Sequence, residues 1–193
     1  DPAAIDIDAN GRMYVCELPE YNAYAATDNP HEKGAVKLLV DTNRDGRYDK
    51  ATLFVKDIAY PTAIICWDDG VFIGSAPDIF YCKDTTGDGI ANVREKILTG
   101  FGSDLAGEAH LNSFRWGVDN RIHISTNLSG GDIRLANAAE STAVSTRGRG
   151  IILNPRDLSV FELTSGAGQH GMSMDNWGRN FVCSNSVPRS EEH

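Results

Sequence analysis

Four segments of this chain repeat one pattern, a β-type run, a short turn and a second β-type run. They read IDIDANGRMYVCE from Ile5, IICWDDGVFIGS from Ile64, FRWGVDNRIHIST from Phe114 and MSMDNWGRNFVCS from Met172, about 50–60 residues apart. A unit of this kind cannot bury both faces of its sheet alone, so copies must stack. Four-stranded units of this length point to an all-β fold, a β-propeller with long inter-strand loops. Short runs rich in Val, Ile, Tyr and Phe, bounded by Asp-Gly, Asn-Gly or Asn-Pro, predict strands at Ala4–Asp8, Met13–Glu17, Val36–Val40, Thr52–Val55, Ala63–Trp67, Val71–Ser75 and Ile79–Lys83. The series continues with Phe114–Val118, Ile122–Thr126, Gly150–Asn154, Ser159–Thr164, Gly171–Asp175 and Asn180–Ser184, while Gly87–Leu98 reads as room for one helical turn. Repeats near 4–58, 62–100, 110–165 and 169–193 amount to about three and a half blades, too few to close a ring and cover its edges. Residues 1–193 are therefore expected to be one propeller segment of a longer protein, rather than a ring completed by another chain.

The charge balance narrows the partners. With 18 Lys+Arg against 27 Asp+Glu the net charge is −9, which argues against nucleic acid or an anionic membrane. The longest apolar run, Ala63–Trp67, is far short of the ~20 residues of a spanning helix, so no transmembrane segment is expected. Asp1-Pro2-Ala3-Ala4 carries no basic leader region, which reads as a processed or excised soluble segment.

Cys16, Cys66, Cys82 and Cys183 form no CxxC pair, which argues against a zinc knuckle, a thioredoxin-type couple or a haem attachment. Cys16 and Cys183 fall on equivalent strands of different blades. Cys66 and Cys82 fall on the first and third strands of one blade, roughly 9–10 Å apart and beyond disulfide reach. Four packed thiols are expected.

Two loops share the form D-x-[NDT]-x-D-G, with Asp41, Asn43, Asp45, Arg47 and Asp49 in the first and Asp84, Thr86, Asp88, Ile90 and Asn92 in the second. Oxygen side chains at the first, third, fifth and ninth positions, a glycine at the sixth for the turn, and the backbone at the seventh (Arg47, Ile90) suit a hard cation, naturally calcium. Glu95 stands at the twelfth position of the second loop, where the first has Thr52. The plain alternative is a pair of solvated Asp-Gly turns; the repetition in register favours structural calcium.

The loop FGSDLAGEAHLNSFRWG, from Phe101, carries Glu108, His110 and Asn112 just before a strand, at the rim where propellers present their sites. His110 suits a general base that Glu108 orients, against the alternative of a structural loop histidine. Gln169 and His170 open the fourth repeat as His110 opens the third, and are candidates for the same channel. Arg134, Arg147 and Arg149 surround Asn127–Asp132; guanidinium forks there would hold an anion, or else pair with Asp132, Glu140 or Asp157. Asp119 and Asp175 sit in turns and read as structural.

The runs GAVKLLVDTNRDGRYDKATLFVKDIAYPTAIICWDDGVFIGSAPDIFYCKDTTGDGIANVREKILTGFG, HLNSFRWGVDNRIHISTNLSGG, RGRGIILNP and SGAGQHGMSMDNWGRNFVCSNS resemble the propeller of the dehydrogenases, described as membrane-bound, of planctomycetes and their relatives. Those proteins are commonly fused to c-type cytochrome modules and are more distantly similar to soluble glucose and sorbosone dehydrogenases that use pyrroloquinoline quinone (PQQ). The resemblance implies an exported, periplasmic or cell-surface protein. It implies that His110, ahead of Phe114-Arg115-Trp116-Gly117-Val118-Asp119, matches the base that removes a sugar hydroxyl proton as hydride passes to the quinone. Arg147 and Arg149, with Asn112, Gln169 and His170, become candidate cofactor contacts.

The reading that results is a calcium-stabilised propeller of a sugar or alcohol dehydrogenase that passes electrons to a cytochrome domain. Its rival is a non-catalytic calcium-stabilised propeller that binds carbohydrate or protein. A third is a lyase for oxidised sugars, which needs His110 and His170 to converge on a metal.

Overall fold

The structure, a computed structural model, describes residues 2–18, 34–103, 110–166, 168–183 and 189–191. Its contacts divide it into two compact units, Asp1–Ser75 with Ile79–Lys96, and Ala76–Asp78 with Ile97–His193. The fold is all-β and of the propeller type: successive antiparallel sheets whose strands follow chain order.

In the first unit β1 (Pro2–Ile7), β2 (Met13–Glu17), β3 (Ala35–Val40) and β4 (Lys50–Val55) form one blade in that order. A second blade holds β5 (Pro61–Trp67), β6 (Gly70–Ser75), β7 (Asp78–Lys83) and the first part of β8 (Val93–Phe101). The period of two puts Tyr14, Cys16, Val36, Leu38 and Phe54 in the core with Ile64, Val71, Ile73 and Cys82. Tyr14 and Phe54 meet edge to face with ring centroids 5.0 Å apart. Two bonds tie β5 to the first blade: the Cys66 amide donates to Asp6 at 2.7 Å, and the Cys16 thiol to the Ala63 carbonyl at 3.8 Å. On the other face of the first blade Ile5, Val15, Lys37 and Leu53 follow one another across the ladder; Val15 is buried, while Ile5 and Leu53 at the two outer strands are exposed.

In the second unit β9 (Asn112–Trp116), β10 (Ile122–Ser125), β13 (Ile151–Leu153) and β14 (Phe161–Leu163) make the third blade. Among the described residues the fourth has three strands, β15 (His170–Met174), β16 (Asn180–Cys183) and β17 (Arg189–Glu191). Between β10 and β13 the chain inserts β11 (Gly131–Leu135), a 3-10 turn at Glu140–Thr142 and β12 (Val144–Ser145), with β11 laid against the end of β8.

Three features depart from the sequence reading. Gly87–Leu98 holds no helical turn; its second half is strand β8. The charged run Arg94-Glu95-Lys96, which has good helix formers, tolerates the strand because Arg94 and Lys96 lie over the Phe80 ring at 4.7 and 5.9 Å, and Arg94 also donates to the carbonyls of Lys56 and Asp57. Strands β11 and β12 were not foreseen, nor was β17. All four cysteines are free; Cys16 and Cys82 are packed in the core and Cys66 is half-buried, but Cys183 is exposed rather than packed, because it lies on a strand face with no apolar layer over it among the described residues. Burial pushes the Cys82 thiol up to about 12 and raises Cys16 further, so neither is a nucleophile.

Candidate functional site

The site-bearing loops of the second unit are built around carbonyl clamps. His110 is buried, 1% exposed, just ahead of β9. Its backbone carbonyl accepts the Asn127 amide at 3.0 Å and the Asn112 amide at 3.2 Å. Asn112 Nδ2 also donates to the Gln169 carbonyl at 2.9 Å, while its Oδ1 accepts the Ser113 hydroxyl. One side chain thus ties together the loop that opens the third blade and the loop that opens the fourth. Gln169 is half-buried and donates its amide to the Cys183 carbonyl at 2.8 Å; His170, first in β15, is exposed. Glu108 lies outside the described residues.

Arg147 and Arg149 are exposed, on the loop that returns from β12 to β13. The Thr126 hydroxyl donates to the Arg149 carbonyl, and the Arg149 amide to Thr146 at 3.0 Å, so the backbone between the two guanidinium groups is fixed. Among the described residues neither guanidinium makes an ion pair. The alternative pairings with Asp132, Glu140 and Asp157 do not form; Asp157 instead accepts the Ser159 amide and hydroxyl. Arg134 differs from the other two: its Nη1 donates to the carbonyls of Leu135, Ala136 and Ala138 at 3.2, 3.3 and 3.0 Å.

Both Asp-Gly loops adopt one hydrogen-bond scheme. Asp41 accepts the Arg44 amide at 2.7 Å and the Gly46 amide at 2.8 Å; Asp84 accepts Gly87 and Gly89, each at 2.7 Å. Asp45 and Asp88 accept the amides of Arg47 and Ile90, and Asn43 accepts that of Asp45. The ninth residues bond the second: Asp49 takes the Thr42 amide and hydroxyl, and Asn92 the Thr85 amide. Thr86 bonds Asp84, and Glu95 stands on β8. Among the described residues no three His, Cys, Asp or Glu side chains converge as a metal group; His110 and His170 make no such centre either.

Burial would raise the Asp84 carboxyl, but amide bonds from Gly89, Gly87 and Thr86 outweigh it and pull its pKa down to about 2. A carboxyl lowered on folding contributes stability above its unfolded pKa and loses it as pH falls through the folded one. Thermal scans from pH 4 to pH 2 should therefore show a smaller loss of Tm for Asp84→Asn than for the wild type. Equal losses would mean that the carboxylate does not hold this loop.

The turns that precede the inner strands are set by aspartates, at Asp119 and Asp175 as the sequence implied and at Asp8 as well. Asp8 accepts the amides of Asn10 and Arg12, Asp119 that of Arg121, and Asp175 those of Trp177 and Arg179. Asp119 also meets buried His123 at 3.2 Å from Nε2, a pair the sequence reading missed because the two residues belong to a turn and a strand. Burial opposes ionisation of Asp119, and the bonds from Arg121 and His123 overcome it, so its pKa is lowered.

Among solved structures, the holo PQQ domain of pyranose dehydrogenase from Coprinopsis cinerea matches with a TM-score of 0.61 at 12% identity, over 98% of this chain and 47% of that one. The chain thus spans about half the length of that domain, and at this identity the likeness is one of fold. Virginiamycin B lyase from Staphylococcus aureus, solved as an inactive variant with quinupristin, matches with a TM-score of 0.43 at 13% identity, over 93% of this chain and 62% of that one. No curated protein sequence matches. No helix among the described residues is long and apolar enough to cross a membrane. Residues 1–193 match throughout the family described as Domain of unknown function (DUF7133), and the chain belongs to it.

Proposed function

We propose that this chain is part of a quinoprotein-type propeller that oxidises a hydroxyl group of a sugar or alcohol, in a longer exported protein that delivers the electrons to a c-type cytochrome module. The observation that carries the reading is the likeness of fold to a PQQ domain along 98% of the chain. The exposed apolar side chains of Ile5 and Leu53 on the first blade support further blades beside it.

PQQ is a planar tricarboxylate, and the exposed guanidiniums of Arg147 and Arg149 offer it two bidentate donors without internal competitors among the described residues. Bound there, the quinone would supply a two-electron acceptor for the hydride leaving the substrate carbon. Asn112 and Asn127 hold the backbone of His110, and His110 takes the hydroxyl proton. In this reading Asp41, Asn43 and Asp45 in the first loop, and Asp84, Thr86 and Asp88 in the second, would hold calcium, which would add to the hydrogen bonds that keep the turns folded.

One observation favours the second reading, a propeller that binds carbohydrate or protein without catalysis: the His110 ring is 1% exposed, as a core histidine would be.

Calorimetric titration of PQQ into the full-length protein, with calcium and again with chelator, separates the two. Stoichiometric binding, weakened at least about tenfold by replacing Arg147 and Arg149 with alanine, is the expected result. No binding would leave the non-catalytic reading. Chelator should also lower Tm, and a melting curve indifferent to it would return both loops to ordinary turns.

A further inference from the structure

The insertion between β10 and β13 builds a groove that neither the cofactor reading nor the resemblance uses. It has a volume of about 440 Å³ and is lined by Thr99, Gly100, Asp132, Arg134, Glu140 and Ala143. The groove exists because of a bulge. Gly131 pairs with Phe101 and Arg134 with Thr99, so β11 spends one residue more than β8 over the same stretch. Only glycine fits the crowded point: a Cβ on Gly100 would lie 2.1 Å from the Asp132 carbonyl oxygen, and one on Gly131 2.2 Å from that of Gly100, with φ of +100° and +136°. Ile133 anchors the bulged strand in the core at 0% exposure, which leaves Asp132 and Arg134 on the face that opens to the groove.

The polar groups are set in place before any ligand arrives. The Thr99 hydroxyl spends its proton on the buried Asp78 carboxylate at 2.6 Å, so toward the groove it can only accept. Arg134 is fixed through Nη1 on three carbonyls, with no bond to Nη2 or Nε among the described residues. Glu140 starts the 3-10 turn, whose backbone is closed by Thr142 Oγ1 on the Ala139 carbonyl at 2.7 Å. Neither the Asp132 nor the Glu140 carboxylate has a hydrogen-bond or ion-pair partner among the described residues. Three acceptors and one donor surround the space, and only Gly100 and Ala143 add apolar surface.

We infer that this groove binds a neutral saccharide. Hydroxyl protons of the sugar meet Asp132, Glu140 and Thr99, a sugar oxygen accepts from Arg134, and the absence of a large apolar wall disfavours a lipid or a nucleobase. The one guanidinium against two carboxylates disfavours an anion. The inference does not rest on the cofactor reading, because none of the six residues is a candidate cofactor contact.

Its test is titration of maltose, and separately of spermidine, into the cofactor-free full-length protein, followed by saturation-transfer NMR. Maltose is expected to bind, and Asp132→Ala with Glu140→Ala to weaken it at least about tenfold, since each loses a hydrogen bond to a charged acceptor. Both carboxylates are exposed and unpartnered, so Tm and PQQ binding should stay unchanged in the double variant. Maltose binding undiminished by the double variant would place the sugar elsewhere on the protein and overturn the inference. So would absent maltose binding, or binding of spermidine in its stead. Absence of PQQ binding to the wild type, with maltose bound by the wild type and weakened in the double variant, would instead sink the cofactor reading alone.

Discussion

His110→Ala is expected to lower kcat for hydroxyl oxidation by roughly 10²–10⁴ in the cofactor-loaded full-length protein, the usual cost of removing a general base. The backbone of His110 is clamped by Asn112 and Asn127, so the substitution acts through the ring and not by releasing the loop. A buried ring also packs, and alanine leaves a hole. His110→Gln, close in length and still polar, separates the two effects. A catalytic role predicts that both variants lose kcat, that the Gln variant keeps most of its Tm, and that the rise of wild-type rate with pH, as the base loses its proton, flattens in both. A folded Gln variant with unchanged kcat would make His110 a core residue and favour the propeller that only binds.

The largest effect on stability is expected at Phe54. Its ring is 1% exposed and meets Tyr14 edge to face inside the first unit's core. Phe54→Ala removes the ring and leaves a cavity between two blades' worth of side chains, which costs about 3–5 kcal/mol. Against a total of roughly 5–15 kcal/mol for an ordinary domain, that is enough to leave the first unit near its unfolding threshold at 25 °C. Urea titration with far-UV circular dichroism measures it, with Phe54→Leu, which keeps part of the apolar volume, as the milder control. A loss below about 1 kcal/mol for the alanine variant would contradict a close-packed core at this position.

The blades were legible because their signals are local. Asp8, Asp119 and Asp175 announce turns by bonding amides two to four residues away, and the strands beside them alternate apolar and polar residues in register. The misreading of Gly87–Leu98 has a physical cause as well. Arg94, Glu95 and Lys96 favour a helix when judged alone, and only the Phe80 ring and the carbonyls of Lys56 and Asp57 make them at home in a strand. The candidate site was legible in residue type more than in arrangement. Arg147 and Arg149 were visible as cations in an acidic chain, but whether they were already paired depended on where Asp132, Glu140 and Asp157 fell.

By itself, then, the sequence determined the repeated antiparallel blades and the aspartate turns, since each is written within a dozen neighbouring residues. Tertiary structure alone decided that His110 is buried, that Asn112 joins the loops of two blades, and that β11 bulges against β8 to open a groove. Those outcomes depend on pairings between residues some 30 to 60 positions apart, where the strand that wins is set by register and packing against partners that no local window contains.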